Sequence, residues 1–142
     1  MAAPQYVADI RVFDFEMQKI RTVLVGHENA ISNLRWSRDS KYLVSGSFDN
    51  TVKIWDMIKG DLKITLSGHN DKVWGVDIFG NKAVSGSDDN LVILWDIETG
   101  EALNTSYDHF GGIVRVAFDR SGQFILTSAT DKQINLYDAD LN

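Results

Sequence analysis

Ser45-Gly46-Ser47-Phe48-Asp49-Asn50-Thr51-Val52-Lys53-Ile54-Trp55-Asp56 returns 40 residues later as Ser85-Gly86-Ser87-Asp88-Asp89-Asn90-Leu91-Val92-Ile93-Leu94-Trp95-Asp96. A weaker third copy reads Thr127-Ser128-Ala129-Thr130-Asp131-Lys132-Gln133-Ile134-Asn135-Leu136-Tyr137-Asp138. Ile10-Arg11-Val12-Phe13-Asp14 reads as the tail of an earlier copy. Phe13 to Trp55 is 42 residues, Trp55 to Trp95 is 40, and Trp95 to Tyr137 is 42. Upstream lie three histidines, in Gly26-His27, Gly68-His69 and Asp108-His109, spaced by 42 and 40. Self-similarity at such a period means that one supersecondary unit recurs along the chain.

Each unit reads as strands. After each histidine comes an apolar triple: Ile31, Leu34, Trp36; Val73, Val76, Ile78; Ile113, Val116, Phe118. Its steps are three residues and then two, whereas plain strand alternation gives two and two. One extra residue at the same place predicts a β-bulge near the start of each of these strands. Turn residues follow: Arg38-Asp39-Ser40, Gly80-Asn81 and Arg120-Ser121-Gly122. A second strand is expected over Tyr42 to Ser47 in the first copy. An Asp-Asn or Asp-Lys turn leads to a third, Thr51 to Trp55. Gly60 and Gly100 mark the turn into a fourth, Lys63 to Leu66 and Ala102 to Ser106. Four short antiparallel strands in about 40 residues make one blade of a β-propeller.

Registered Gly-His, Asp and Trp-Asp positions resemble those of the WD-repeat family, from about residue 10 to the C-terminus. The resemblance implies an all-β propeller of four-stranded antiparallel blades, about three of them here. It divides the chain into N-terminal remnant strands (1–25), a first repeat (26–67), a second (68–107) and a divergent third without its outer strand (108–142). It also implies a hydrogen-bonded tetrad in each blade: Asp49, His27, Ser45 and Trp55; Asp89, His69, Ser85 and Trp95; Asp131, His109, Thr127 and Tyr137. The third set departs twice, with Asp108 for Gly and Tyr137 for Trp. A phenol donates and accepts whereas an indole N–H only donates, so a rearranged network is expected there.

Ser, His and Asp together also suggest a hydrolase. Recurrence decides against it: a nucleophile site is assembled once, and this set appears once per blade. A metal site is disfavoured because the histidines lie 40 or more residues apart, without the close pairing of zinc ligands. Asp88-Asp89 and Asp138/Asp140 lack the alternation and sharp glycine of a calcium loop and read as turn residues. No enzyme activity, cofactor or metal is expected.

In this family partners usually meet one mouth of the central channel. The resemblance places two kinds of position there: Ser32, Trp74 and Val114, just after the first apolar residue of each bulged strand, and Phe48, Asp88 and Thr130, before each turn Asp. Trp74 and Phe48 are large apolar groups at positions the blade core does not need, and rigid aromatic residues make good anchors. Asp88 adds a charge suited to a basic peptide. Cullin-ligase adaptors of the family carry Arg two residues after Trp-Asp; Ile58, Glu98 and Asp140 stand there, so that role gains no support.

The third copy stops at Asn142, before its fourth strand. Either the chain is a fragment of a longer propeller, the favoured reading, or two copies swap strands to close a six-bladed ring. Residues 19 to 25 form an outer-strand candidate of the kind such closure uses. Ile10 to Asp14 would be surplus in that ring. The net charge of −6 argues against a nucleic-acid partner. No apolar run reaches the roughly 18 residues of a membrane span, and Met1 to Ala8 lacks the pattern of a signal peptide. The chain has no cysteine, which suits the reducing cytoplasm or nucleus. The function expected is a scaffold or adaptor that binds proteins, with a self-assembling half-propeller as the alternative.

Overall fold

The computed structural model describes residues 8–142. Residues 1–7 of the expected N-terminal remnant lie outside the described residues. Strands β1 (Ala8–Asp14) and β2 (Lys19–His27) form a two-stranded sheet. The first blade follows as β3 (Ile31–Trp36), β4 (Tyr42–Ser47), β5 (Thr51–Asp56) and β6 (Asp61–Ser67), paired in that order. The second contains β7 (Val73–Phe79), β8 (Lys82–Ser87), β9 (Val92–Asp96) and β10 (Ala102–Ser106). The third has three strands, β11 (Ile113–Phe118), β12 (Phe124–Ala129) and β13 (Ile134–Asp138). All pairings are antiparallel, and the sheets do not close into a ring.

The register of each innermost strand skips one residue at its start, between Ile31 and Asn33, Val73 and Gly75, and Ile113 and Arg115. The skipped residues are Ser32, Trp74 and Val114. A bulge removes a residue from the ladder and re-aims its side chain, so these three stand clear of their sheets' pairing. Asn50, Asn90 and Lys132 take left-handed backbone (φ 70, 69 and 69°) in the turns between the second and third strands. Asparagine tolerates that conformation.

Blades stack through two apolar faces each. Val44, Val52 and Ile54 of the first blade pack on Val73, Val76 and Ile78 of the second. Val84, Val92 and Leu94 of the second pack on Ile113, Val116 and Phe118 of the third. On the first blade's other face, Leu43, Trp55 and Met57 are covered by Ile10 and Leu24 of the two-stranded sheet. That sheet stands where the outer half of a preceding blade would be. Its β2 contains residues 19 to 25, and it pairs with β1 rather than with the third blade.

Leu34 and Trp36, the last two residues of the first apolar triple, stand open. They are 40% and 48% exposed, although their counterparts Val76 and Ile78 are 1% and 3%. Two strands ahead of the first blade cover its outer half and reach Ile31, but leave the rest of the apolar side of its inner strand uncovered. The last blade is open in the same way. Leu126, Ile134 and Leu136 are 48%, 71% and 65% exposed, where Val44, Val52 and Ile54 are fully buried.

Where neighbours meet, contact is close. A Cβ on Gly86 would lie 2.3 Å from Cγ2 of Ile113 and 2.9 Å from Val116. Overpacking of this kind costs about 1–3 kcal/mol. Gly86→Ala is therefore expected to lower the unfolding free energy measured by urea titration by that amount, and an unchanged free energy would show that the second and third blades do not pack in this register.

Candidate functional site

One polar chain runs through the first blade. The Trp55 indole N–H donates to Ser45 Oγ at 2.9 Å. Ser45 Oγ lies 2.6 Å from His27 Nε2, and His27 Nδ1 lies 2.7 Å from Asp49 Oδ2. The indole only donates, so the serine oxygen accepts there and sends its own proton to Nε2. That leaves the imidazole proton on Nδ1, facing the carboxylate. The second blade repeats the order: Trp95 to Ser85 at 2.8 Å, Ser85 to His69 at 2.7 Å, His69 to Asp89 at 2.9 Å. Each carboxylate also ties two loops together. Asp49 accepts the amides of Glu28 and Thr51, Asp89 those of Asn70 and Leu91, and Asp131 those of Phe110 and Gln133.

In the third blade His109 bridges Asp131 and Thr127 at 2.8 Å each, but Tyr137 does not join them. Its hydroxyl accepts from Asn135 Nδ2 at 3.1 Å and pairs with Ser106 Oγ at 3.0 Å; Ser106 in turn donates to Asp108 at 2.9 Å. The expected tetrad with Tyr137 is therefore a triad beside a separate Asn135–Tyr137–Ser106–Asp108 chain. Ring size gives the reason. A Cβ on Gly26 or Gly68 would lie 3.2 or 2.8 Å from the Cη2 of Trp55 or Trp95. A six-carbon phenol ring is smaller than an indole, and a side chain stands at position 108. Asp108 then supplies the acceptor that draws the tyrosine chain toward it.

These sets have the order of a catalytic triad without its access. Ser45 and Ser85 are fully buried and Thr127 is 1% exposed. A nucleophile must reach its substrate, and these oxygens reach only their own blade. Burial pushes the His27 imidazole below its ordinary value, and the hydrogen bond to Asp49 only partly offsets this. For Asp49, burial pushes the carboxyl up, but hydrogen bonds from Thr51, His27 and the Glu28 amide outweigh it and hold the group low. Asp89 is held low in the same way, with His69 and the Asn70 amide overcoming burial.

The locked loops bring the rim residues together at one end of the blades. Trp74, 38% exposed, meets Phe48 edge to face with ring centroids 4.7 Å apart. Phe48 and Asp88 hold corresponding positions: their amides donate to the carbonyls of Ala30 and Lys72. Thr130 does the same to Gly112. Val114, Asp88 and Thr130 are exposed. Ser32 is drawn inward instead, its hydroxyl placed between the carbonyls of Gly46 and of Val73 in the next blade. Two rim residues escaped the sequence reading. Lys72 holds its ammonium 5.3 Å from the centre of the Phe48 ring. Phe110 stands 84% exposed in the loop after His109. Its counterparts Glu28 and Asn70 are polar, and that difference was the available signal for Phe110.

The family described as "WD domain, G-beta repeat" matches residues 18–56, 60–96 and 100–138. Autophagy-related protein 16 of Arabidopsis thaliana is 33% identical over 129 residues, covering 89% of this chain and 25% of that protein. COMPASS component SWD3 of Saccharomyces cerevisiae is 32% identical over 125 residues, covering 80% and 40%. The ribosome biogenesis protein WDR12 homolog of Trichoplax adhaerens is 47% identical over 75 residues, covering 48% and 17%. The chain thus spans less than half the length of each of these relatives.

Two outcomes are expected. His27 gains its proton around the ordinary value of 6.5 in the unfolded chain and at lower pH in the fold. The stability gained by keeping it neutral is thus complete above 6.5 and declines as pH falls below it. The melting temperature should fall between about pH 7.5 and 5, and less so for His27→Ala; equal slopes for the two chains would reject the link. Tyr137→Trp should cost about 1–3 kcal/mol by driving an indole against Asp108. Asp108→Gly in the same chain should recover about half or more of it; strict additivity in a double-mutant cycle would deny the coupling.

Proposed function

The chain belongs to the WD-repeat family, and on that premise we propose that it is a protein-binding scaffold module whose propeller rim holds a protein or peptide partner. One observation carries the reading. Exposed Trp74, in the bulge of β7, and half-buried Phe48, in the turn after β4, form an aromatic pair beside loops held by buried polar ties. Aromatic groups fixed before the partner arrives lose little freedom on binding and concentrate the binding energy in few residues. WD domains are generally non-catalytic scaffolds, and the yeast relative is by name a component of a complex.

We further propose that the chain divides into remnant strands 1–25 and repeats 26–67, 68–107 and 108–142. The three His–Asp–Ser/Thr sets brace the blades, and Trp74, Phe48, Asp88, Val114 and Thr130 form the contact surface. The acidic balance disfavours a nucleic-acid partner. Cytoplasm or nucleus is the proposed location.

A second reading has an observation of its own. Leu126, Ile134 and Leu136 on the last blade occupy the positions that face Val73, Val76 and Ile78 between complete blades, and Leu34 and Trp36 lie open on the first. Two copies could therefore close on each other as a self-assembling ring. Light-scattering mass at several concentrations separates the readings, since a strictly monomeric species eliminates self-assembly.

For the rim, Trp74→Ala is expected to weaken a partner recovered by affinity capture about thirtyfold on titration. Stability should stay within about 0.5–1 kcal/mol of the parent. Unchanged affinity would remove Trp74 from the binding surface.

A further inference from the structure

Corresponding positions in successive blades allow one junction to be compared with the next. Between the first and second blades, Phe48 leans onto Trp74 at 4.7 Å, and the Lys72 ammonium stands 5.3 Å from its ring centre. Between the second and third, the corresponding residues are Asp88, Val114 and Gly112. An anion has replaced the aromatic ring, and a glycine has replaced the lysine.

The glycine is filled by the carboxylate's own position. A Cβ on Gly112 would lie 2.6 Å from Asp88 Oδ1 and 3.3 Å from Asp88 Cα. A Cβ on Gly111 would lie 2.5 Å from Thr130 Oγ1. The exposed carboxylate therefore rests against the bare backbone of Gly112. Asp88 is exposed, and among the described residues it takes part in no ion pair. Lys72 gives its carbonyl to the Asp88 amide at 3.0 Å, yet its ammonium is turned toward Phe48. Trp74 is the bulge residue beside the Val73–Ser87 pair and Asp88 lies just beyond that pair, so both stand at one end of the second blade.

We propose that Asp88, seated against the Gly112 backbone on a rim that also carries Trp74 and Val114, receives a lysine or arginine side chain of the protein partner. This rests on the rim reading above and adds its chemistry. The cation at the first junction comes from the chain's own Lys72; at the second it comes from outside. The long aliphatic stem of lysine or arginine suits the apolar rim residues while its charge meets the carboxylate. A net charge of −6 favours the approach of such a segment.

The test is selection of a random peptide library displayed on phage against the 142-residue chain, Asp88→Asn and Trp74→Ala. Asp88→Asn keeps the amide that bonds Lys72 and should melt as the parent does. Peptides won by the parent should be enriched in Lys or Arg. A synthetic winner should bind Asp88→Asn about fivefold more weakly, and added salt should weaken its binding to the parent more than to the variant. Winners without basic residues, or equal binding to Asp88→Asn, overturn the proposal. If Trp74→Ala loses the peptides while Asp88→Asn keeps them, the rim reading stands and the cation site falls. If Trp74→Ala keeps them, or no peptide is enriched, both fall.

Discussion

Val44, Val52 and Ile54 of one sheet lie against Val73, Val76 and Ile78 of the next, and the same contact recurs one blade on. Each sheet is apolar on both faces, so it needs a neighbour on each side. The hydrophobic gain is roughly proportional to apolar area removed from water. A middle blade collects it twice and an end blade once. This explains why Val76, Ile78 and Leu94 of the second blade are buried while Trp36 and Leu136 stand open at the two ends. It also makes the rim rigid, because loops at the mouth are carried by sheets that cannot slide past each other at close-packed density.

The buried polar ties act inside that stack. A histidine between two blades would cost free energy if either ring nitrogen lacked a partner. The serine and aspartate satisfy both nitrogens, and no buried side-chain nitrogen or oxygen among the described residues is left unpaired. The aspartate then spends its remaining lone pairs on amides of two different loops. Blade stability and rim geometry thereby depend on the same carboxylate. In the third blade the aspartate keeps this task although the aromatic residue has left the chain of bonds, so the histidine and aspartate are the essential part of the tie. The indole is replaceable, provided the residue before the histidine changes with it.

Much of this was legible in the residues. The three-then-two spacing of Ile31, Leu34 and Trp36 placed a bulge near the start of that strand, and the ladder skips Ser32 there. The turn residues located β4 and β10 over Tyr42–Ser47 and Ala102–Ser106. Exposure of Leu34 and Trp36 was not legible, because a strand pattern states which face is apolar and not whether anything covers it. The path of the Tyr137 hydroxyl was likewise hidden. It depends on Ser106, which lies 31 positions away and has no marked place in the repeat. Lys72 above Phe48 escaped for a related reason: the repeat aligns residues within blades, whereas this contact joins two.

That last point separates bracing residues from binding residues. Positions that stay alike from blade to blade, such as His27, His69 and His109, meet a demand every blade shares. A demand made once appears as a departure. Trp74 stands where the other blades have Ser32 and Val114, and Gly112 stands where they have Ala30 and Lys72. Neither departure repairs a blade: Trp74 remains 38% exposed, and Gly112 opens backbone beneath a carboxylate. A repeat fold makes such differences readable because neighbouring blades serve as controls on the same backbone. Departures that leave a group exposed at the rim without helping the stack are those that an external partner explains best.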